Sequence, residues 1–332
     1  KLPTPFSTRT PRPFKPKNLG CHIVNTNSDC HDILYNSLSL SPMYSGIIKG
    51  VGPRYCPSVE DKIVRFKDRK SHQLFLEPEW EGSKQIYVNG FSTSMPEEVQ
   101  KESLRMIPAL RNVEFIRPGY AIEYDYFIPS QLKSTLESKE ITGLFLAGQI
   151  NGTSGYEEAA AQGLIAGINA ALLCLQKNSF SLTRFESYIG VLIDDIVTKD
   201  IDEPYRMFTS RAEFRLSLRP DNADIRLTQQ GRNIGLVTDA HFDIFQTRLK
   251  NMQKIEATLE KASIDLGTGI KKPAIKVLKQ PLVTTSELAT HVPGLNTFLP
   301  DDLFTVETDI KYTGYVDREQ KRIEQINKIE NI

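Results

Sequence analysis

The stretch "GVGPRYCPSVEDKIVRF", residues 50–66, holds one nucleophile in a stiff setting. Cys56 lies between Tyr55 and Pro57, behind Gly52 and Pro53, with Arg54 and Lys62 close in sequence. Cationic neighbours favour the reactive thiolate, and a rigid loop fixes the sulfur as a covalent step requires. Glu60 and Asp61 could carry protons, or could pair with Arg54, Lys62 and Arg65. A lone cysteine can equally be a small core residue. From the residues alone both roles stay open.

A second stretch, "GLFLAGQINGTSG" (143–155), joins an apolar run to a glycine-rich turn, and "YEEAAAQGLIAGINAALLCL" follows it. The pattern predicts a buried strand ending at Gln149, a turn through Asn151, Gly152, Thr153 and Gly155, and a helix from about Tyr156. At the end of a strand in a doubly wound sheet, such a turn holds a phosphate or a cofactor against backbone N–H groups. Gly152 and Gly155 let a ligand approach, and Glu157 and Glu158 suit the positive end of the helix dipole. Gly163 and Gly167 are expected to form a small face that seats the helix tightly on a sheet. A plain strand–helix turn without a ligand is the alternative.

A third stretch, "EPYRMFTSRAEFRLSLRPDNADIRL" (203–227), carries Arg206, Arg211, Arg215, Arg219 and Arg226. Arg211, Arg215 and Arg219 recur every four residues and would line one face of a helix. That face could grip RNA phosphates through planar guanidinium forks, or could be solvated and paired with Glu213, Asp221 and Asp224. The dipeptides Cys21-His22 and Cys30-His31 do not match zinc-site spacing, so no metal site is expected.

The elements that must position these groups fall into segments. Residues 1–20 read as an extended, basic, proline-rich arm. Residues 21–115 favour strands, at "GCHIVNT", "KIVRF", "HQLFLEPEW", "KQIYVNG" and "VEFIRPGY", with one helix near "MPEEVQKESLRMI". Residues 116–180 contain the strand–turn–helix, and 181–332 read as helix after helix with an irregular connector at 264–310. Within that last part, Phe242, Phe245, Leu249, Met252, Ile255 and Leu259 mark one amphipathic helix over 239–262.

With 332 residues the chain can bury substantial cores. Its 41 basic and 41 acidic residues balance, so RNA binding would need a local patch. Four cysteines without a C-x-x-C pair fit a reducing compartment. The longest apolar run is too short for a bilayer, and no membrane association is expected. The chain opens at Lys1 and stops inside a charged helical stretch, as a piece of a longer protein would.

"GLFLAGQ" resembles the late A-G-D motif of two-dinucleotide-binding-fold flavoproteins, with Gln149 in place of the aspartate that holds the FAD ribityl chain. The early G-x-G-x-x-G fingerprint is not found: Gly50–Gly52 and Gly267–Gly269 are the only G-x-G pairs. Taken together, "GVGPRYCPSVEDK", "FLEPEW", "RPGYAIEYDYF", "GLFLAGQINGTSGYEEAAAQG" and "EPYRMFTSRAEFRL" closely resemble the tRNA uridine 5-carboxymethylaminomethyl modification enzyme family (MnmG/GidA). The likeness runs from about Cys21 to Leu236, weakens through 264–300 and returns at "IKYTGYVDREQKRIEQ".

The resemblance implies a fold: part of an α/β FAD-binding domain of the two-dinucleotide-binding type with a β-rich insertion, then an α-helical carboxyl-terminal domain. The family's fingerprint domain would precede Lys1, so the isolated chain is expected to bind FAD weakly or not at all. The implied activity uses FAD, NADH, a folate one-carbon donor and glycine or ammonia on the wobble uridine of tRNA, with a GTPase partner and a homodimeric assembly. Its compartment would be the bacterial cytoplasm, or a mitochondrion or plastid. Cys56 takes the position of the family's essential cysteine, attacking uracil carbon 6. Gly148, Gln149, Asn151, Gly152, Thr153 and Gly155 take the FAD positions. Gly52, Pro53, Arg54, Tyr55, Cys56, Pro57, Ser58, Val59, Glu60, Asp61, Lys62, Ile63, Val64, Arg65 and Phe66 take the NAD positions. Arg206, Arg211, Arg215 and Arg219 fall in a region tied to tRNA. Three competing readings remain: a folate- and FAD-dependent T-loop uridine methyltransferase, a non-catalytic fragment that binds tRNA or a partner, and an ordinary FAD oxidoreductase.

Overall fold

The computed structural model describes residues 7, 10, 13–48, 58–121, 125–199, 203–265 and 269–330. Cys56, and with it the Gly52–Pro57 part of the expected NAD segment, lies outside the described residues.

The first apolar cluster forms under a three-stranded antiparallel sheet of β1 (His22–Asn25), β2 (Gln73–Pro78) and β3 (Ile86–Asn89). Val24 pairs with Leu74, and Leu76 pairs with Val88, so alternate residues face one way. These four pack against α1 (Ser28–Asn36), α2 (Val59–Arg65) and α3 (Glu97–Arg105) through Leu34, Val59, Ile63, Val99 and Leu104.

Two expected strands are not strands. "KIVRF" belongs to α2, because Ser58 caps the helix by accepting the Asp61 N–H, and Val59 and Ile63 sit one turn apart on its buried side. "VEFIRPGY" forms no ladder; Val113 and Phe115 only pack on the cluster's rim. Helix α1, which the strand reading missed, is capped by Asn27 accepting from the Cys30 N–H.

The second cluster surrounds α4 (Tyr156–Cys174) and α5 (Tyr188–Thr198). The expected strand before α4 is reduced to an isolated antiparallel bridge between Phe145 and Glu137. Its backbone bonds fold it onto residues 136–138, with the Leu146 N–H donating to Leu136 O and the Ser138 N–H to Leu144 O. No doubly wound sheet forms among the described residues, and Gly163 and Gly167 are exposed with nothing packed on them.

Helix α6 (Ala223–Asn233) precedes a third, helical cluster built by α7 (Asp239–Lys261), α8 (Ala274–Leu278), α9 (Thr285–Leu288) and α10 (Pro300–Glu330). Phe245, Ile255 and Leu259 of α7 are buried as the periodicity requires; Ile255 and Leu259 meet Val306 and Ile310 of α10. The expected irregular connector contains α8, α9 and the short ladder of β4 (Ser263–Ile264) with β5 (Lys272–Pro273). Among the described residues no helix is long and apolar enough to cross a membrane.

Candidate functional site

The glycine turn is a 3-10 turn over Gly148–Asn151, closed by Gly152 at φ 70° and followed directly by α4. An L side chain resists that dihedral, and the Tyr126 ring covers the face a Cβ would take, 3.3 Å away. Gln162, fully buried on α4, braces the turn. Its carbonyl accepts from the Gly148 N–H (3.0 Å) and the Asn151 amide (2.8 Å), while its amide donates to the Thr153 hydroxyl and Glu158 O. Thr153 in turn donates to Gly148 O at 2.8 Å.

Gln162 was not among the expected site residues. The available signal was a polar residue at helical spacing on the side that buries Ile165 and Asn169.

Glu158 does more than complement the helix dipole. It is 3% exposed, and its Oε1 accepts from the Met207 N–H (2.8 Å) and from Arg206 Nε (3.2 Å). Burial pushes the carboxyl up, but the Met207 and Glu158 N–H groups and Arg206 outweigh that and hold it below its usual range. The Tyr205 N–H donates to Gly152 O at 3.1 Å. Residues 205–207 are therefore docked on the turn and on the first turn of α4, and the structure unites two motifs that the sequence presents separately.

The arginines do not share a helix face. Residues 203–222 run as loop with 3-10 turns at Thr209–Arg211 and Pro220–Asn222. Pro220 and the Asn222 side chain disfavour a helix continuing here: Asn222 donates to Ser217 O and accepts the Arg219 N–H. Arg219 is 9% exposed and bound to Asp221 and Asp309, so it ties this loop to α10. Arg211 Nε donates to Arg206 O at 2.8 Å, and its guanidinium lies 4.4 Å over the Tyr205 ring. Arg215 is exposed and forms no ion pair among the described residues. Beneath them, buried Asp195 accepts from Arg184, Lys199 and the Tyr205 hydroxyl.

The turn's fitness for a cofactor can be judged from its own groups. Among the described residues, Asn151 Oδ1 and Glu158 Oε2 are buried without a hydrogen-bond partner. Gln149 is exposed, so its amide is presented outward with both donor and acceptor capacity. The Gly148 N–H is already used by Gln162, and Glu157 and Glu158 make the α4 terminus acidic. Arg206 neutralises Glu158, so exposed Glu157 is the net charge at that terminus, and the outward Gln149 amide beside it suits hydroxyls. A flavin's ribityl chain offers hydroxyls, so the residues fit that half of FAD.

Of the expected NAD residues, Val59 and Ile63 are core and Glu60 is buried, accepting from Thr93 and Ser94. Lys62 donates to Gly90 O, and Asp61 accepts from Tyr44. Arg65 and Phe66 are exposed, and Ser58 and Val64 are partly so. This segment belongs to the first apolar cluster and the glycine turn to the second.

The architecture is mixed α/β with small sheets and a helical carboxyl-terminal part. It matches crystal structures of Aquifex aeolicus GidA: form II with TM-score 0.79, 42% identity, 96% of this chain and 51% of that chain covered, and form I with 0.79, 43%, 96% and 52%. The chain spans about half the length of these proteins. The sequence profile described as "Glucose inhibited division protein A" matches residues 1–178, and that of the "tRNA modifying enzyme MnmG/GidA C-terminal helical domain" matches residues 239–320. The chain belongs to the GidA family, a family of tRNA-modifying enzymes.

Proposed function

We propose that the protein carrying this chain adds the carboxymethylaminomethyl group at carbon 5 of the tRNA wobble uridine, using FAD and NADH. The carrying observation is the docking of the arginine segment onto the glycine turn through Gly152, Tyr205, Glu158, Arg206 and Met207. On this reading it would bring RNA-binding arginines next to the flavin-binding turn. The match of the helical domain supports this reading over T-loop methylation.

Bound flavin and nicotinamide would supply hydride transfer. Gln149 would hydrogen-bond ribityl hydroxyls, and exposed Arg215 would meet RNA phosphate. Cys56 would add its thiolate to uracil carbon 6, placing the electron pair on carbon 5 for attack on a one-carbon electrophile from folate, with glycine supplying the amine and carboxymethyl part of the group. Loss of the carbon 5 proton then re-forms the ring double bond and expels the thiolate. A GTPase partner, a homodimer and a bacterial-cytoplasmic or organellar site belong to the same proposal. So does the division at about residues 20, 115 and 180.

The test is expression of the complete natural protein in bacteria lacking their own homologue, with nucleoside mass spectrometry of the tRNA. The wild type restores the modified uridine, and Cys56→Ser does not while retaining flavin. Normal modification by Cys56→Ser removes Cys56 from the reaction; no modification by the wild type favours the non-catalytic alternative.

A further inference from the structure

We infer that Phe208 is a stacking platform for an unpaired RNA base, an inference that rests on the RNA reading above. Phe208 is 58% exposed, yet the loop presenting it is cross-braced. On one side the Met207 N–H is held by buried Glu158. On the other, Arg211 returns its Nε to Arg206 O, its N–H to Phe208 O, and its own carbonyl oxygen accepts from Arg184 Nη2. The ring therefore stands on backbone fixed at both ends, so stacking a base on it orders little additional chain.

Residues 206–211, "RMFTSR", contain no acidic residue. The exposed tip is Phe208 with the hydroxyl residues Thr209 and Ser210, flanked by the partly exposed Arg206 and Arg211. One aromatic face among hydrogen-bond donors and guanidinium groups is the chemistry that receives a splayed-out base and its phosphates. Within residues 206–211 Phe208 is the one exposed large apolar side chain, and guanidinium and hydroxyl groups surround it, which favours a base over an apolar protein surface. The loop's attachment to Gly152 and Glu158 sets the stacked base beside the glycine turn.

The experiment measures affinity of the complete natural protein for an RNA hairpin with a uridine-containing loop, and for the same strand annealed to its complement. Phe208→Ala should weaken hairpin binding about ten- to a hundredfold, the range set by one base–aromatic stack. It should leave duplex binding and the salt dependence unchanged, because no charge is removed. Phe208→Trp should bind within about threefold of wild type, since the stacking face is kept. Wild-type hairpin affinity in Phe208→Ala overturns the inference. So does an equal loss for hairpin and duplex with a lowered melting temperature, which marks a packing residue. If the wild type binds neither RNA, the RNA reading falls together with the inference.

Discussion

Gly155→Ala isolates the contact that joins the two motifs. Gly155 has φ −69°, which alanine adopts freely, so the backbone itself contributes no penalty. A Cβ there would lie 1.8 Å from Glu158 Oε2 and 2.6 Å from its Cδ, so the carboxylate must leave. The cost is what that carboxylate holds. A charge-assisted bond to the Met207 N–H is worth about 1.5–3 kcal/mol, and the bond to half-screened Arg206 about 1 kcal/mol. The loss is therefore about 2–4 kcal/mol, part of it offset as the carboxylate regains water. Urea unfolding of Gly155→Ala, Glu158→Ala and the double variant forms a complete cycle. The expected coupling is about 1–3 kcal/mol, with the alanine nearly free once Glu158 is gone. Hydrogen exchange at the Met207 amide should accelerate in both single variants. Equal cost of Gly155→Ala in the two backgrounds would refute the reasoning.

Arg219→Ala should cost about 2–3 kcal/mol of stability by stranding Asp221 and Asp309, with Asp309 partly screened. Arg215→Ala should cost under about 0.5 kcal/mol and lower the salt slope of RNA binding by about one; the same melting and affinity series reads both. Burial pushes the Asp195 carboxyl up, but Lys199, Arg184 and Tyr205 outweigh it and hold it below its ordinary 3.8. Its stabilisation is thus full above that value and fades as pH falls through the lower folded one, so the urea-midpoint gap between wild type and Asp195→Asn should shrink in acid. A gap that stays constant down to about pH 3 contradicts this. Burial pushes the Cys30 thiol up to about 12, so iodoacetamide should label exposed Cys21 and Cys174 far faster; rapid labelling of Cys30 contradicts its packing under the sheet.

Periodicity made α7 legible, because Phe245, Ile255 and Leu259 fall on one stripe, and alternation made β1, β2 and β3 legible. It failed at "KIVRF", where the same apolar residues serve a helix once the Ser58 cap is recognised. It failed again at 143–148, where an apolar run reads as a strand but the backbone finds only residues 136–138 to bond. The four-residue arginine spacing suggested a helix that Pro220 and local side-chain bonds disfavour. The glycine turn was readable from its composition. The role of Gln162 as its brace, and of Glu158 as the tie to residues 206–207, was not. Both depend on contacts between groups 9 to 49 residues apart, which local pattern does not encode.

Covalent trapping on RNA carrying 5-fluorouridine at the wobble position tests the central claim most directly. Fluorine at carbon 5 leaves no proton to remove, so the thiolate adduct at carbon 6 cannot resolve. With its cofactors, the complete wild-type protein should yield a denaturant-stable protein–RNA species whose linked peptide contains Cys56, absent in Cys56→Ser. A linkage at another residue, or the same yield from Cys56→Ser, would contradict the account.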